Sequence, residues 1–194
     1  MKITKLSSLV LSLLLISGTL LAQSNFEVKN FEMSIDGTSS LHDWTSQVTQ
    51  VYAEGKLDLS NGTLGGINNL VVTVPVTSIE SGKNVMDKKT YNALESDDHP
   101  TITYELTKVL SLENTNGSYK LKTEGTLTIA GTTKTVQMTV KGTTVENGVI
   151  RFEGSKSLKM TDFNVDPPTA LLGTLKTGDE VTVNFALTLN ANKG

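Results

Sequence analysis

Residues 119–141, YKLKTEGTLTIAGTTKTVQMTVK, hold two runs of alternating polarity joined at Ala130-Gly131. In the first run Leu121, Leu127 and Ile129 share one parity, with Lys120, Lys122, Glu124, Thr126 and Thr128 on the other. In the second, Val136, Met138 and Val140 alternate with Thr135, Gln137, Thr139 and Lys141. A period of two is that of a β-strand with one apolar face, and the glycine at the join supplies the turn. The stretch specifies a long antiparallel hairpin with one dry side. That side faces a packed core, a bilayer or a ligand, and the choice decides what the chain can do.

The same alternation recurs along the chain. Phe31, Met33 and Ile35 share a parity within residues 26–40. Residues 45–59 alternate more weakly, with Val48 and Tyr52 on one side and Val51, Ala53, Leu57 and Leu59 on the other; the switch of parity predicts a bulge near residues 52–54, helped by Gly55. A third strand over residues 69–78 aligns Leu70, Val72, Val74 and Val76, and Pro75 within it argues for an interrupted ladder or an edge. Residues 101–112 place Ile102, Tyr104, Leu106 and Leu110 inward. Residues 149–160 align Ile150, Phe152, Leu158 and Met160 with Gly154 and Lys156 between them, and residues 180–190 align Val181, Val183, Phe185, Leu187 and Leu189. Asn61-Gly62, Asn116-Gly117 and Asn147-Gly148 are turn signals. Gly65-Gly66 reads as an ordinary turn.

Only residues 81–100 look helical, with Asn84 as a candidate cap and Met86, Lys89 or Thr90, and Ala93 or Leu94 on one face. With the two arms of the hairpin the strands number eight, several longer than the usual five or six residues. Long strands and short connections predict an all-β fold: an eight-stranded antiparallel up-and-down barrel, with a short helical insert between strands 3 and 4. A two-sheet sandwich is the alternative.

The first 22 residues carry Lys2 and Lys5, an apolar run over residues 9–16 broken only by Ser12, and a small-residue end at Ala22. That layout predicts a secretory signal peptide cut after Ala22, a mature domain over residues 23–194, and a periplasmic or secreted protein. An uncleaved anchor is the competing reading. Without the two lysines of this segment the 17 basic residues fall to 15 against 20 acidic, a net charge of −5. An acidic chain whose one arginine is Arg151 has no footprint for nucleic acid. With no cysteine, the core and the β-ladder must hold the domain.

An outer-membrane barrel would carry aromatic girdles at both interfaces. One Trp and four Tyr, with Thr, Lys and Glu filling the opposite face, argue against stable membrane insertion. An inward apolar face in an eight-stranded barrel is either filled by side chains or left to hold one ligand, and composition does not choose between them. His42 and His99 each stand beside an Asp but lack metal-ligand spacing. Residues 162–166 imitate the start of a calcium loop, but Pro167 and Gly173 occupy positions that the loop needs for Gly and Glu. No nucleophile elbow or phosphate loop is present, so no catalytic residue, metal or cofactor is expected. Trp44 is either a core plug or a mouth residue.

The segment GTLTIAGTTKTV at residues 125–136, the helical insert followed by HPTITY at 99–104, VPVTSIESG at 74–82 and TGDEV at 177–181 resemble the YceI-like family in sequence and order. The likeness spans residues 26–190. It implies a lipocalin-like extracytoplasmic barrel that binds long amphiphiles, polyisoprenoids in particular, in an apolar lumen, without catalytic residues. On that reading the ligand-facing wall includes Val72, Val74, Ile102, Tyr104, Leu127 and Ile129. Met138, Phe152, Met160 and Phe185 continue it, Trp44 stands at the mouth, and Met86, Tyr91 and Leu94 form a lid. The segments at residues 37–44 and 167–168 depart from the family pattern where a mouth would lie, which leaves the ligand's identity open. The partner expected is an isoprenoid or other long-chain lipid, with a homodimer left open. A structural β-domain with a packed core, or an enzyme acting on a lipid, are the competing functions.

Overall fold

The computed structural model describes residues 22–170 and 174–191. Residues 1–21, which hold nearly all of the expected signal peptide, lie outside the described residues. In chain order the elements are β1 (Ala22–Ser39), β2 (Trp44–Val48), β3 (Tyr52–Ser60), β4 (Thr63–Pro75), β5 (Ile79–Glu80), α1 (Asn84–Ala93), β6 (Thr101–Thr115), β7 (Ser118–Ile129), β8 (Thr132–Glu146), β9 (Val149–Lys159), β10 (Thr169–Ala170) and β11 (Leu175–Ala191). Short 3₁₀ turns occupy Val76–Ser78 and Met160–Phe163.

These elements close an eight-stranded antiparallel barrel. β2 and β3 act as one barrel strand: β1 pairs Ser34 with Gln47 and Ala22 with Leu59 on a single register line, and the ladder lapses between. From there each strand pairs with its neighbour in sequence, through β4, β6, β7, β8, β9 and β11. β11 then pairs with β1 from Phe26↔Ala191 to Ser39↔Thr177, so no barrel strand is left as an open edge. This is the up-and-down topology the alternation predicts.

Local chemistry explains both agreements and departures. Asn61-Gly62 and Asn116-Gly117 have positive φ at both central residues, the turn whose twist suits a two-residue hairpin. Pro75 ends β4 opposite Thr101, and the chain leaves the ladder there by a 3₁₀ turn. β4 starts at Thr63 rather than near residue 69, and Gly65-Gly66 is no turn. Two register shifts against β3, one at Gly65 and one at Asn69 (φ 52°), let the strand continue as bulges, which also move Ile67 and Leu70 to the same side. In β6 two further shifts carry the inward side from Leu106 to Val109 and then Leu112. Leu110, expected inward, is therefore 44% exposed. Asn84 is the first residue of α1 and not its cap; the Asp87 carboxylate instead accepts the Ser81 backbone N–H at 2.7 Å.

The two ends of the barrel differ. At the end bearing the Asn-Gly turns, Leu57, Leu64, Tyr119, Leu121 and Ile150 are buried and pack with Phe26 and Leu189 into a solid plug. The Tyr119 hydroxyl accepts the Leu64 backbone N–H at 3.1 Å, so the bulged backbone is satisfied inside it. The opposite end is crossed by α1, the residue 40–43 loop and the segment following β9. There Asp179 accepts the Thr161 backbone N–H at 2.9 Å and its hydroxyl at 2.7 Å, tying the start of β11 to the 3₁₀ turn.

Those hydrogen bonds, the backbone one first, hold the Asp179 carboxyl below its ordinary range. A depressed folded pKa means that the tie contributes fully above the unfolded carboxylate value of about 3.9 and is lost as pH falls through the lower folded value. Amide exchange at Thr161 is expected to stay slow at neutral pH and to accelerate in strong acid, whereas Asp179→Ala, which removes the acceptor, should show fast exchange throughout. Identical exchange in the two proteins at pH 7 would contradict the tie.

Candidate functional site

Above the plug the barrel is hollow. A cavity of about 560 Å³ opens at the α1 end, a volume within the range of about 300–1,000 Å³ usual for small-ligand sites. The inward parity of every barrel strand supplies its wall. Val72 and Val74 come from β4, Ile102 and Tyr104 from β6, and Leu127 and Ile129 from β7. Met138 of β8, Phe152 of β9 and Phe185 of β11 complete the circle, with Met160 just beyond β9. Trp44 stands at the mouth, and Met86 and Leu94 close over it from α1.

Tyr91 is the one residue of the expected set that the structure does not bring there. Its hydroxyl turns away to donate to the Thr77 carbonyl at 3.0 Å. Burial, then the charges of Asp87 and Glu80, push that phenol above its ordinary pKa. The other half of the helix explains the difference: Met86, Lys89, Thr90, Ala93 and Leu94 recur at helical spacing and face the cavity, which leaves Tyr91 on the flank.

Aromatic side chains would block a bore this narrow unless they lay against its wall, and glycines in the strands allow that. A Cβ on Gly37 would stand 2.2 Å from the indole of Trp44, its cross-strand partner, and one on Gly154 would stand 2.8 Å from the ring of Phe185, again its partner. Phe152 lies over its partner Gly142, where a Cβ would approach to 3.2 Å. Tyr104 lies over Gly125, whose Cβ would meet the ring at 2.6 Å and the Glu105 carbonyl at 2.4 Å. Each glycine is thus a flat seat for a ring.

Gly37→Ala is expected to unseat Trp44 and to break the hydrogen bond its Nε1–H donates to the Thr38 carbonyl at 3.0 Å. As the only Trp in the chain, its emission reports this directly; a spectrum identical to the wild type would contradict the seat.

Polar groups in the wall are few. Ser46 and Thr123 are buried, and the Thr123 hydroxyl donates to the Met138 carbonyl at 3.4 Å. The Tyr104 hydroxyl is enclosed without a hydrogen-bond partner, and burial pushes its pKa up. Thr123 stands close enough to offset that rise in part, though not in hydrogen-bonding geometry. A wall of this kind offers affinity for hydrocarbon and little directional chemistry.

The mouth holds residues that sequence reasoning missed as site residues: Leu41 and His42 before β2, Lys83 and Lys89 at α1, and Lys159 and Lys176 beyond it. Leu41, His42 and Lys83 are placed by connections and Lys89 by α1, while Lys159 and Lys176 stand at the ends of β9 and β11 off the parity of the inward residues, so alternation does not mark any of them. Lys156 is different. It shares the inward parity of Phe152 and Leu158 and pairs with inward Val183, so its place was readable from its parity in the strand. His42 and His99 have separate surroundings: the His42 Nδ1 lies 2.7 Å from the Asp43 carbonyl, and the His99 Nε2 lies 3.7 Å from Glu95. Among the described residues no group of three or more His, Cys, Asp or Glu is arranged to hold a metal. No helix of the described residues is long and apolar enough to cross a membrane.

Comparison with known proteins gives three kinds of result. Residues 19–189 match the YceI-like domain family. No curated protein matches the chain. Solved structures share the fold. BcnA of Burkholderia cenocepacia is 18% identical with a TM-score of 0.65, the match covering 84% of this chain and 99% of that one. A polyisoprenoid-binding domain from Saccharophagus degradans, implicated in plant cell wall breakdown, is 14% identical with a TM-score of 0.66, over 89% of this chain and 99% of its own. The YceI protein of Campylobacter jejuni is 18% identical with a TM-score of 0.59 over the whole of both chains.

Proposed function

The chain belongs to the YceI-like family, and on that premise we propose that it binds one long-chain isoprenoid or similar amphiphilic lipid in the barrel cavity, and carries or sequesters it outside the cytoplasm. The observation that carries the reading is the apolar cavity itself, walled by inward residues of every barrel strand and left open at one end. The polyisoprenoid-binding domain that shares its fold supports the choice of ligand class. Residues 1–22 serve as the export signal. Among the described residues a cut after Ala22 removes one pair, Ala22↔Leu59, of the β1–β3 ladder and leaves the β1–β11 pairs in place.

Physical chemistry sets the scale. Each methylene transferred out of water contributes about 0.8 kcal/mol, so a chain burying roughly ten gains about 8 kcal/mol before the costs of ordering it. Such affinity grows with chain length. Titration of the mature protein with geranylgeraniol, read by Trp44 emission, is expected to saturate at one ligand per barrel. Prenol, with one isoprene unit, should produce no saturable change at the same concentrations. A flat titration with geranylgeraniol, or equal responses to both alcohols, would overturn the reading.

A further inference from the structure

The cavity has a floor, and the floor lies short of the far end of the barrel. Along β7 the inward residues Leu121, Thr123, Leu127 and Ile129 line the space, whereas Tyr119, one inward position further down, does not. Leu121 and Ile129 stand eight residues apart, roughly 26 Å along a strand and about 20 Å in depth at the usual barrel tilt. Phe152 and Leu189 join Leu121 at the floor, and both belong to the lining and to the buried core. Beneath them Leu57 and Ile150 are 0% exposed, so no water-sized space reaches them.

Hydrogen bonds hold this floor in place. The Tyr119 hydroxyl accepts the Leu64 backbone N–H at 3.1 Å and the Thr144 hydroxyl at 3.4 Å, which links β4, β7 and β8 one step below Leu121. A chain pushed deeper would have to unpack side chains that are already closely packed, so the floor acts as a stop. Volume gives a second measure. A non-hydrogen atom of a flexible chain takes about the 30 Å³ that a water takes in the liquid, so 560 Å³ seats roughly twenty carbons. Up to that length each added carbon gains the transfer free energy of a buried methylene, up to about fourfold in Kd. Beyond it, added carbons stay in water at the mouth and gain nothing.

We infer that the barrel measures the length of its ligand: it seats one chain of about twenty carbons, four isoprene units or a fatty chain of that size, and Leu121 with its cross-strand partner Val140 sets the limit. Val140 is partly buried, lines the cavity and packs against the core, so it stands where the space ends. The assignment rests on the lipid-binding reading above and narrows it from long chains in general to one length. A longer chain binds no more tightly than one that just fills the space.

The test is a length series on the mature protein: saturated fatty acids of even length from about 12 to about 26 carbons, kept below the concentrations at which they aggregate, with binding read by Trp44 emission. Kd is expected to fall by up to about fourfold per carbon until about 20 carbons, and then to change by less than about twofold per added pair. Val140→Phe, which adds about four carbons beside the floor, should bring the break down by about four carbons. Leu121→Ala, which removes about three, should carry it up by about three. Lost stability alone weakens binding at every length without moving the break. A Kd that keeps falling through 26 carbons, a break below about 16, or a break that stays in place in both variants would overturn the length limit while leaving lipid binding intact. Failure of every chain to bind would overturn both. If Val140→Phe does not fold, the wild-type series and Leu121→Ala still decide the matter.

Discussion

Phe185→Asp is expected to abolish uptake of a long-chain ligand, whereas Thr188→Asp leaves uptake within about twofold of the wild type. Phe185 is an inward residue of β11 that lies flat on Gly154 and forms part of the cavity wall. A carboxylate there enters an apolar wall whose inward cation on the paired strand, Lys156, already donates to the Gln137 carbonyl, and burying even a neutral polar group without a partner costs roughly 2–7 kcal/mol. The site escapes part of that cost only by protonating the acid or admitting water, and either removes the dry surface that a hydrocarbon chain needs. A loss of about 4 kcal/mol corresponds to roughly a thousandfold in Kd. Thr188 sits on the other parity, between Asn30 of β1 and Arg151 of β9. A charge on that outer side remains in water. Circular dichroism separates loss of binding from loss of fold, and equal tolerance at the two positions would contradict the assignment of inside and outside.

The second large effect concerns the closed end. Leu121→Ala is expected to cost about 2–5 kcal/mol, because Leu121 is fully buried at the boundary between plug and cavity and its neighbours cannot collapse into the space it leaves. For a domain of this size that lowers Tm by roughly 4–20 °C. Leu127→Ala, three inward positions nearer the mouth on the same strand, is expected to cost only about 1 kcal/mol. Leu127 is half-buried and borders the void, so fewer packing contacts are lost with its side chain. Similar losses at both sites would mean that the barrel is filled along its whole length.

The contrast between these two leucines marks where sequence reasoning stops. Leu121 and Leu127 share a parity and a residue type, and alternation correctly puts both inside. It does not reveal that one is packed and the other faces a cavity, because filling depends on what seven other strands deliver at the same height. The same limit explains β4 and β6. Gly65 and Asn69 look like loop residues in isolation, and only the registers of β3 against β4 make them bulges within a strand. Leu110 keeps perfect alternation with Leu106 in the sequence, yet the shift against β7 after Leu106 puts Val109 inward and Leu110 outward, and a second shift at Leu110 returns the inward side to Leu112. By contrast the Asn-Gly turns, the long last strand and the apolar face of α1 depend on local chemistry, and these were legible. The mouth was legible in Trp44, Met86 and Leu94, and readable in Lys156 from its parity; Leu41 reaches it from a loop, and Lys159 and Lys176 stand at the ends of β9 and β11 off the parity of the inward residues, where alternation does not mark them.

The glycine seats join these observations to function. Packing Trp44, Tyr104, Phe152 and Phe185 against the wall keeps large apolar surface in the barrel without closing it. A domain selected only for a solid core would have no need of them, since the same rings turned inward would fill the space.

The central claim is that this space holds a lipid, and the most direct measurement is mass spectrometry of an organic extract of the mature protein purified without detergent. The account predicts close to one long-chain amphiphile per barrel, of isoprenoid or similar type, released on denaturation. Protein that yields no lipid, and that also takes up neither added polyprenyl nor fatty chains, would contradict it.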